Sequence, residues 1–436
     1  MSNALTGRTE PAAKPADIAG PPGTESVQGP GHLLSANAYH YRRGGADIVY
    51  LNHTKLMQEN GWTTSSFAMH HPENLPCEDA TYFAEEIDYA RGGSIAEKLV
   101  QAGRIIYSFE AKQKLARLLD SRPIDIAHIH NIYHHQSPSI LVELKRRRIP
   151  TVLTAHDLKL ACPAYTMLNA AGVCECCKGG RTWNVLLNRC IKGSVAASAL
   201  IMLESSLHKA LNIYARNVDK IIAPSRFYRD KLIEWGFDAD QIEHIPNFIP
   251  DRHDIEPQIG GNYALYFGRL SKEKGLATLI RAAAKSGVPL KLAGRGPQEA
   301  ELQALTKELK APVSFAGFQS GDALWALVDG AFATVLPSEW YENGPLSALE
   351  AFQRGKPMIG ARIGGIPELI VEGKTGWLFE PRDVESLTRA LMTARDTPKA
   401  SLVTMADACR AFVAQHHSPG IYYSRMYLLY LTVKKN

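Results

Sequence analysis

The stretch AFATVLPSEWYENGPLSALEAFQRGKPMIGARIGG, residues 331–365, contains the pattern that decides the fold. An apolar run that ends at Pro337-Ser338 is followed by a polar loop, by the helix-like segment LSALEAFQRG and by a second apolar run. Strand, loop, helix and strand in this order are typical of a parallel βαβ unit. We therefore predict a parallel sheet covered by helices.

The same alternation continues on both sides of this unit. Further strand-like runs are HLLSAN (32–37), WTTSSFAM (62–69), IDIAHIH (124–130), IPTVLTAHD (149–157), KIIAPS (220–225), YALYFGRL (263–270), PLKLAGRG (289–296), PVSFAGF (312–318) and TGWLFEP (375–381). Between the two groups lies IPDRHDIEPQIGGN (249–262), which has two Pro, two Gly and no apolar periodicity, as expected of a linker.

This pattern predicts two Rossmann-like, doubly wound α/β domains whose ligands bind in a central cleft, at the carboxyl ends of the strands. The predicted boundaries are a disordered Pro/Gly/Ala-rich tail (1–30), an N-terminal acceptor-side domain (31–250), a C-terminal domain (262–418) and an aromatic closing helix (419–436). We expect the closing helix to cross back to the N-terminal domain.

Composition excludes several classes of protein. The 436 residues include 49 basic and 44 acidic side chains, and 45% of all residues are hydrophobic. These values are ordinary for a globular protein and exclude a mainly disordered chain, a coiled coil or a fibre. A net charge of +5 does not indicate a nucleic-acid partner. Because neither a spanning apolar run nor a signal peptide is seen, we predict a cytoplasmic protein.

Two glutamates flank the start of the helix-like segment in the opening stretch. Glu342 and Glu350 are eight positions apart, a little over two helical turns, so they lie on similar faces. Free amides at a helix start favour an anion, and a neighbouring carboxylate is suited to binding sugar hydroxyls. We predict that the two glutamates belong to a site that combines an anion with sugar hydroxyls.

The order of motifs in this region resembles the family 4 glycosyltransferases, retaining enzymes of the GT-B fold that include bacterial surface-polysaccharide types. The matching features are Pro337-Ser338, Glu342, Glu350-Ala351, Gly355-Lys356-Pro357 and Gly364-Gly365-Ile366-Pro367-Glu368. One departure is Asn343-Gly344-Pro345-Leu346, where the family often has Gly-Phe-Gly-Leu. Pro345 has no N–H, so one backbone contact of that loop must be lost or moved.

The resemblance implies roles for the charged residues of the C-terminal domain. Arg269 and Lys274, in YFGRLSKEKG (266–275), would bind the diphosphate and stabilise it as it leaves, without a catalytic metal. Glu342 would hold the transferred sugar, and Glu350 the ribose hydroxyls. No protein nucleophile is predicted, because retention is usually explained by front-face attack with the leaving phosphate taking the acceptor proton.

Other positions are predicted to contact the donor or the acceptor. The family's histidine that reaches the donor sugar corresponds to His156, and His130-Asn131 could line an acceptor pocket. The remaining predicted donor contacts are Gly44, Gly45, Gly268, Gly294, Phe318, Asn343, Gly344 and Leu346. The acceptor would be a glycan or a polyprenyl-linked glycan.

A Cys-rich insertion, residues 160–192, follows His156. Cys162, Cys174, Cys177 and Cys190 supply four thiolates, the number that a tetrahedral structural zinc requires. Free thiols and a disulfide pair are open alternatives. The possibility of zinc rests on this spacing alone.

Two segments are ambiguous between packing and membrane contact. VAASALIMLESSLHKALNIYARN (195–217) is predicted to be one long helix with Leu200, Leu203, Leu207, Leu211 and Tyr214 on one face. Core packing is the simpler interpretation, and a peripheral membrane contact is the alternative. KRRR (145–148) suits either a helix C-terminus or an anionic bilayer.

The predicted function is transfer of a sugar from a nucleotide-sugar donor to a glycan or lipid-linked acceptor, in cell-surface polysaccharide synthesis. Alternatives on the same fold are a nucleotide-sugar epimerase, a phosphorylase or a nucleotide-sugar-binding protein without turnover. A dinucleotide-dependent oxidoreductase is disfavoured, because no G-x-G-x-x-G opens either domain.

Overall fold

The computed structural model describes residues 30–86, 95–169, 171–252 and 258–435. The predicted tail, except residue 30, and residues 253–257 of the predicted linker lie outside these ranges.

The N-terminal domain is built on a parallel six-stranded sheet of order β2-β1-β3-β4-β7-β8. Its strands are β1 (His32–Ala36), β2 (Thr63–Phe67), β3 (Ile126–Ile129), β4 (Thr151–Thr154), β7 (Lys220–Ala223) and β8 (Ile242–His244), and a separate hairpin contains β5 (Leu168–Asn169) and β6 (Gly172–Val173). Its helices are α1 (Gly45–Glu59), α2 (Ile95–Ile106), α3 (Phe109–Ser121), α4 (Ser139–Arg146), α5 (Asn184–Leu187), α6 (Val195–Ala210), α7 (Ile213–Asn217) and α8 (Arg226–Glu234).

The C-terminal domain has a second parallel six-stranded sheet, of order β11-β10-β9-β12-β13-β14. Its strands are β9 (Tyr263–Phe267), β10 (Leu290–Ala293), β11 (Val313–Gly317), β12 (Ala331–Leu336), β13 (Met358–Ala361) and β14 (Gly376–Phe379). Its helices are α9 (Leu276–Ser286), α10 (Glu299–Glu308), α11 (Gly321–Asp329), α12 (Leu346–Gln353), α13 (Val384–Arg395) and α14 (Lys399–His416), and α15 (Pro419–Lys435) closes the chain.

Both faces of each sheet carry an apolar core. In β9, Ala264 and Tyr266 belong to the larger C-terminal cluster, whereas Tyr263 and Leu265 belong to a smaller one. Alternation of this kind arises because successive strand side chains point to opposite faces. The prediction of two doubly wound α/β domains is therefore confirmed.

The C-terminal helix packs on the N-terminal sheet. Its buried residues Met426 and Tyr430 share one apolar cluster with Leu33 of β1 and Ile126 of β3. Two hydrogen bonds add to this contact: the Tyr422 hydroxyl lies 3.1 Å from His53 Nδ1, and the Tyr430 hydroxyl lies 2.5 Å from His128 Nδ1. The helix α15 therefore packs on the domain that contains β1 and β3.

A buried lysine anchors the end of the linker. Lys356 of the Gly-Lys-Pro motif directs its ammonium at the carbonyls of Gln258 (2.6 Å), Asp329 (2.6 Å) and Ala331 (2.9 Å). Burial lowers the pKa of Lys356 to about 8, with Asp329 opposing the shift. The carbonyl cluster therefore connects the start of β12 to the chain that leads into β9.

The segment 195–217 differs from its prediction. Instead of one long helix, α6 ends at Ala210 and α7 begins at Ile213, because Asn212 adopts a left-handed conformation with φ 48°. Core packing holds for only part of the predicted face, since Leu200 and Tyr214 pack on apolar clusters. Leu203, Leu207 and Leu211 are exposed. The buried positions of α6 are instead Ser198, Ile201, Glu204, Ser205 and His208.

The first three cations of the KRRR segment form ion pairs within the N-terminal domain. Lys145 pairs with Asp219, while Arg146 and Arg147 both pair with Glu143. These partners give the run a structural role at the end of α4, as its position at a helix C-terminus suggested.

We predict that Met426→Ala lowers the free energy of unfolding by about 2–5 kcal/mol, because it leaves a cavity between α15 and the N-terminal sheet. Chemical denaturation measures this change. Leu428→Ala is the matched control, since Leu428 lies on the same helix and is 64% exposed, and it should change stability by less than about 0.5 kcal/mol. Equal losses in both variants would contradict the docking of α15.

Candidate active site

The site lies where the strand order of the C-terminal sheet reverses. β9 and β12 are neighbours at the centre of that sheet, and the chain leaves them toward opposite edges. Ligands of open α/β sheets bind at such a switch point, at the carboxyl ends of the strands. The loop after β9 contains Arg269 and Lys274, and the loop after β12 contains Glu342.

Lys274 and Glu342 meet in an ion pair. Lys274 Nζ lies 2.6 Å from Glu342 Oε1, which also accepts hydrogen bonds from Ser338 Oγ (2.5 Å) and Trp340 Nε1 (2.9 Å). Burial alone would raise the pKa of Glu342, but Lys274 and the two hydrogen bonds outweigh it and hold the pKa below its usual value. The carboxylate is therefore charged and fixed in orientation.

Two glycines allow the loops to approach this closely. Gly275 has φ +66°, and a Cβ there would come within 2.0 Å of the Pro337 carbonyl oxygen. Gly364 has φ +59°, and a Cβ there would lie 2.5 Å from the backbone N and O of Glu342. Only glycine fits such positions. The spacing of the Gly-Gly motif thus supports the backbone that carries Glu342.

The other predicted donor residues lie at the ends of neighbouring strands. Arg269 follows β9, its side chain is exposed, and its charge acts on the Tyr165 hydroxyl of the N-terminal domain. Phe318 follows β11 and is also exposed. In the described chain, the Arg269 and Glu350 side chains have no hydrogen bond or ion pair. Burial raises the pKa of Glu350. These groups are available for a ligand.

Two of the predicted donor contacts, Gly268 and Gly294, lie against each other beside Arg269. Gly294 has φ +152°, and a Cβ there would lie 1.8 Å from the Gly268 carbonyl oxygen. The turns after β9 and β10 therefore touch through their main chains.

In the N-terminal domain, Gly44 precedes α1, and a Cβ at Gly45 would meet nothing within 4 Å. Leu346 is the first residue of α12 and packs partly on the core.

Asn343, which is predicted to contact the donor, connects the two domains through its side chain. Its Nδ2 donates to the carbonyls of Ala155 (2.7 Å) and His156 (3.2 Å), and its Oδ1 accepts from Ser225 Oγ (2.9 Å). Gly344 joins this contact, since its carbonyl accepts from Asn247 Nδ2 at 3.0 Å. The sequence departure at 343–346 therefore forms an interdomain junction.

Sequence reasoning missed the interdomain role of Glu368, the last residue of the Gly-Gly motif. Its carboxylate accepts hydrogen bonds from the backbone N–H groups of Arg226 (2.9 Å) and Phe227 (2.6 Å). Glu368 thus caps the start of α8 in the other domain, where a negative charge is favoured. Such a long-range cap leaves no local signal in the sequence.

The Cys-rich insertion also contacts the C-terminal domain. Glu175 accepts hydrogen bonds from the Tyr341 hydroxyl (2.9 Å) and from Lys231 Nζ (2.8 Å). Arg382 Nη1 donates to the Ala171 carbonyl at 2.8 Å. Because Tyr341 directly precedes Glu342, the insertion contacts the loop that carries the predicted sugar-binding carboxylate.

His156 is the outer member of a column of histidines. Its Nε2 lies 2.9 Å from His130 Nδ1, and the rings of His128 and His130 stack with centroids 4.4 Å apart. The Tyr430 hydroxyl of α15 contacts His128 Nδ1 and, at 3.0 Å, His53 Nε2. The C-terminal helix is therefore connected to His156 through hydrogen bonds and stacked rings. His130 lies inside this column and is completely buried.

Three of these histidines lie close enough together to raise the question of a bound metal. In the described chain, His53, His128 and His130 form the one set of three or more potential ligands whose ligand atoms all lie within 4.8 Å of each other. Both nitrogens of His128 already contact hydroxyls, since His128 Nε2 lies 2.7 Å from Thr154 Oγ1. The His128 and His130 rings are also parallel within 9°, so their in-plane lone pairs do not converge. The geometry fits a hydrogen-bonded column better than a metal site.

The predicted zinc ligands come from three segments of the insertion that converge. Cys177 and Cys190 share an apolar cluster with Val185 and Ile201. Burial raises the pKa of Cys177 to about 12, reinforced by Cys162, Cys190 and Cys174. All seven cysteines are free thiols. The four sulfurs are not among the sets within 4.8 Å, so a tetrahedral site, with sulfurs about 3.8 Å apart, would require them to move closer.

A cavity of about 320 Å³ lies between the domains beside the Asn343 junction. Its lining includes Ser225, Asn247, Gly344 and Glu368 but not Arg269, Lys274, Glu342 or Glu350. The cavity therefore meets the predicted donor residues at Asn343 and Gly344 and does not reach the charged groups of the site.

Together these features define the class of the protein. Two parallel α/β domains meet through residues at the carboxyl ends of their strands, with a charged site at the switch point of the second sheet. This is the GT-B architecture.

Two family models match adjoining parts of the chain. The model for "Glycosyltransferase Family 4" matches residues 43–253, and that for "Glycosyl transferases group 1" matches residues 250–405. The chain belongs to the family 4 type of GT-B glycosyltransferases.

Curated relatives match part of the chain. Glycogen synthase of Mycobacterium tuberculosis is 31% identical over 269 residues, which are 58% of this chain and 62% of that protein. The amylovoran biosynthesis glycosyltransferase AmsK of Erwinia amylovora is 26% identical over 230 residues, 49% of this chain and 56% of the relative. The chain thus aligns with less than two thirds of each of these relatives.

Solved structures share the fold over nearly the whole chain. Sucrose-phosphate synthase from Thermosynechococcus elongatus has a TM-score of 0.64 at 21% identity, covering 93% of this chain and 99% of that one. Anabaena HepE, solved in complex with UDP and glucose, has a TM-score of 0.62 at 17% identity, with coverage of 92% and 99%. Among the described residues, no helix combines the length and apolar character needed to cross a bilayer.

The histidine column predicts a loss of stability in mild acid. Burial lowers the pKa of His53 and of His156 to about 3, and holds those of His128 and His130 well below their usual value. The unfolded chain therefore binds protons below about pH 6.5 that the folded protein rejects, and stability falls by about 1.4 kcal/mol per pH unit for each histidine.

Urea denaturation at pH 7.5 and 5.5 measures this effect. Asp157 has the opposite sign, because burial raises its pKa to about 6, and it offsets about one histidine. His53→Gln should reduce the number of protons taken up on unfolding by about one, and so flatten the dependence of the free energy of unfolding on pH. A free energy of unfolding that is equal at the two pH values would contradict the prediction.

The zinc prediction from the cysteine spacing is tested by metal analysis of the purified protein. We expect about one zinc per chain, lost in Cys174→Ser/Cys177→Ser and retained in Cys77→Ser, because Cys77 lies outside the insertion. Wild-type protein that carries no zinc after purification with the metal supplied would contradict it.

Proposed function

We propose that the protein is a retaining glycosyltransferase that moves a sugar from a nucleotide-sugar donor to a glycan or lipid-linked acceptor. The observation that carries this proposal is the Lys274–Glu342 pair at the switch point of the C-terminal sheet, with Arg269 exposed beside it. A cation and a carboxylate in contact offer the two groups that a sugar diphosphate requires.

The pair suggests how the donor is received. An incoming diphosphate competes with Glu342 for the Lys274 ammonium, because the diphosphate carries more negative charge than the single carboxylate. Glu342 stays oriented by Ser338 and Trp340 and can then accept a hydrogen bond from a sugar hydroxyl. The donor thus replaces one ion pair by two separate contacts.

Catalysis would follow from the charge that develops on the leaving diphosphate. Arg269 and Lys274 stabilise this charge more in the transition state than in the ground state, which lowers the barrier without a bound metal. Glu350, half-buried at the second turn of α12, would bind the ribose, and Phe318 would face the base. His156 would contact the sugar from the other domain.

The relatives support the donor class and a role in polysaccharide synthesis. HepE was solved with UDP-glucose as well as with UDP, and AmsK is named for amylovoran biosynthesis. A nucleoside-diphosphate sugar and a growing bacterial surface glycan, built in the cytoplasm, are the substrates and setting that we propose.

The test is nucleotide release from a panel of nucleotide sugars, chosen by a thermal-shift screen because a bound donor raises the melting temperature. Lys274→Ala should lower kcat/KM about 100-fold or more, as expected for loss of a group that stabilises the transition state. Lys272→Ala is the matched control, because Lys272 is an exposed lysine of the same loop, and it should retain activity within about twofold.

Glu342→Gln and Arg269→Ala complete the set, and each should reduce turnover. Arg269→Ala should do so with little change in melting temperature, because Arg269 is exposed. Full turnover in the Lys274→Ala and Arg269→Ala variants would refute the assigned site. Donor binding without turnover in the wild-type protein, with every acceptor offered, would favour a binding protein.

A further inference from the structure

The outward face of α6 is apolar along its length. Leu203 is 55% exposed and Leu207 is 42% exposed, and Leu211, directly after the helix, is 49% exposed. Ala196 and Ala210 are exposed on the same face. Residues at spacings of three, four and seven lie on one side of a helix. A stripe of leucines therefore runs along the surface.

The inward face of the same helix is polar and cannot be exchanged with the outward one. Glu204 is completely buried, pairs with Lys159 at 2.8 Å and lies 3.3 Å from His208 Nδ1. Turning the leucines inward would break this buried pair and leave a charge without its partner, which is strongly destabilising. The outward orientation of the leucines is thus fixed by the fold.

The neighbouring part of the Cys-rich insertion extends the apolar surface. Trp183 is 53% exposed and Leu187 is 72% exposed. A hydrogen bond of 2.6 Å between Thr182 Oγ1 and Ser206 Oγ holds this segment beside α6. We call Trp183, Leu187, Leu203, Leu207 and Leu211 together the α6 face. Exposed patches of this kind mark interaction sites.

The charged residues of the segment that leads into α6, between Glu175 and Glu204, are all cations. No Asp or Glu occurs between Glu175 and Glu204 in the sequence. Arg181, Arg189 and Lys192 are exposed in this interval, and within the described ranges no carboxylate pairs with any of them. An occupant of the α6 face must therefore accept both leucines and cations.

We infer that the α6 face docks the protein on the surface of an anionic lipid bilayer. A second copy of the chain is disfavoured, because a symmetric pair would bring the same unpaired cations together. An anionic membrane neutralises them, and its interface accommodates an indole such as Trp183. With 16 residues, α6 is about 24 Å long and would lie in the interface plane. This inference does not depend on the proposed function.

The experiment is co-sedimentation of the full chain with vesicles of phosphatidylcholine alone or mixed with phosphatidylglycerol. We expect binding to the anionic vesicles that weakens as salt is raised from about 0.1 to 0.5 M. Leu203→Glu/Leu207→Glu should weaken it at least tenfold, and Arg181→Ser/Lys192→Ser about fivefold per cation. Leu428→Glu is the control, since Leu428 is an exposed leucine on α15, far from α6 in the sequence, and it should bind as the wild type does.

Melting temperatures and light scattering accompany each variant. If Leu203→Glu/Leu207→Glu lowers the melting temperature, Leu207→Gln/Leu211→Gln replaces it and should weaken binding in the same direction. The inference is overturned if the wild-type protein does not bind anionic vesicles, if Leu428→Glu weakens binding as much as the α6 variants, or if the wild type is a dimer that the α6 variants dissociate.

Discussion

The contact between the Lys274 ammonium and the Glu342 carboxylate joins the loops that leave the two central strands of the C-terminal sheet. It forms only because Gly275 and Gly364 let the main chain of three loops approach without a Cβ between them. Ser338 and Trp340 then hold the carboxylate. Since Tyr341 and Asn343 flank Glu342 and both reach the N-terminal domain, the same loop also joins the domains.

The N-terminal domain contains a buried network of polar side chains next to this loop. His156, whose carbonyl accepts from Asn343, contacts His130, and the column of imidazoles ends at Tyr430 of the C-terminal helix. These rings are neutral because burial disfavours their charged forms. The last helix therefore connects to the site indirectly, through the histidine column of the N-terminal domain. It contributes no residue to the donor loops.

The insertion and α6 show polar groups being buried while apolar ones are exposed. Glu204, with Lys159 and His208, occupies the interior, and Leu203 and Leu207 face water. A helix of this composition has two faces by periodicity alone, and the periodicity does not state which one is buried. The buried ion pair decides, because separating its partners costs more than exposing leucines.

The sequence by itself determined the two α/β units, the order of the motifs and the placement of cations and carboxylates after strand ends, because strand and helix periods and glycine positions are local properties of the chain. The sequence also pointed to Lys274 and Glu342 through their places after β9 and β12. That Lys274 and Glu342 form an ion pair was decided by the tertiary structure. Only the tertiary structure decided that Asn343 bonds to the other domain, that Glu368 caps α8 and that α6 turns its leucines outward. Each of these depends on a partner 45 to more than 180 positions away, and no local pattern encodes such a distance.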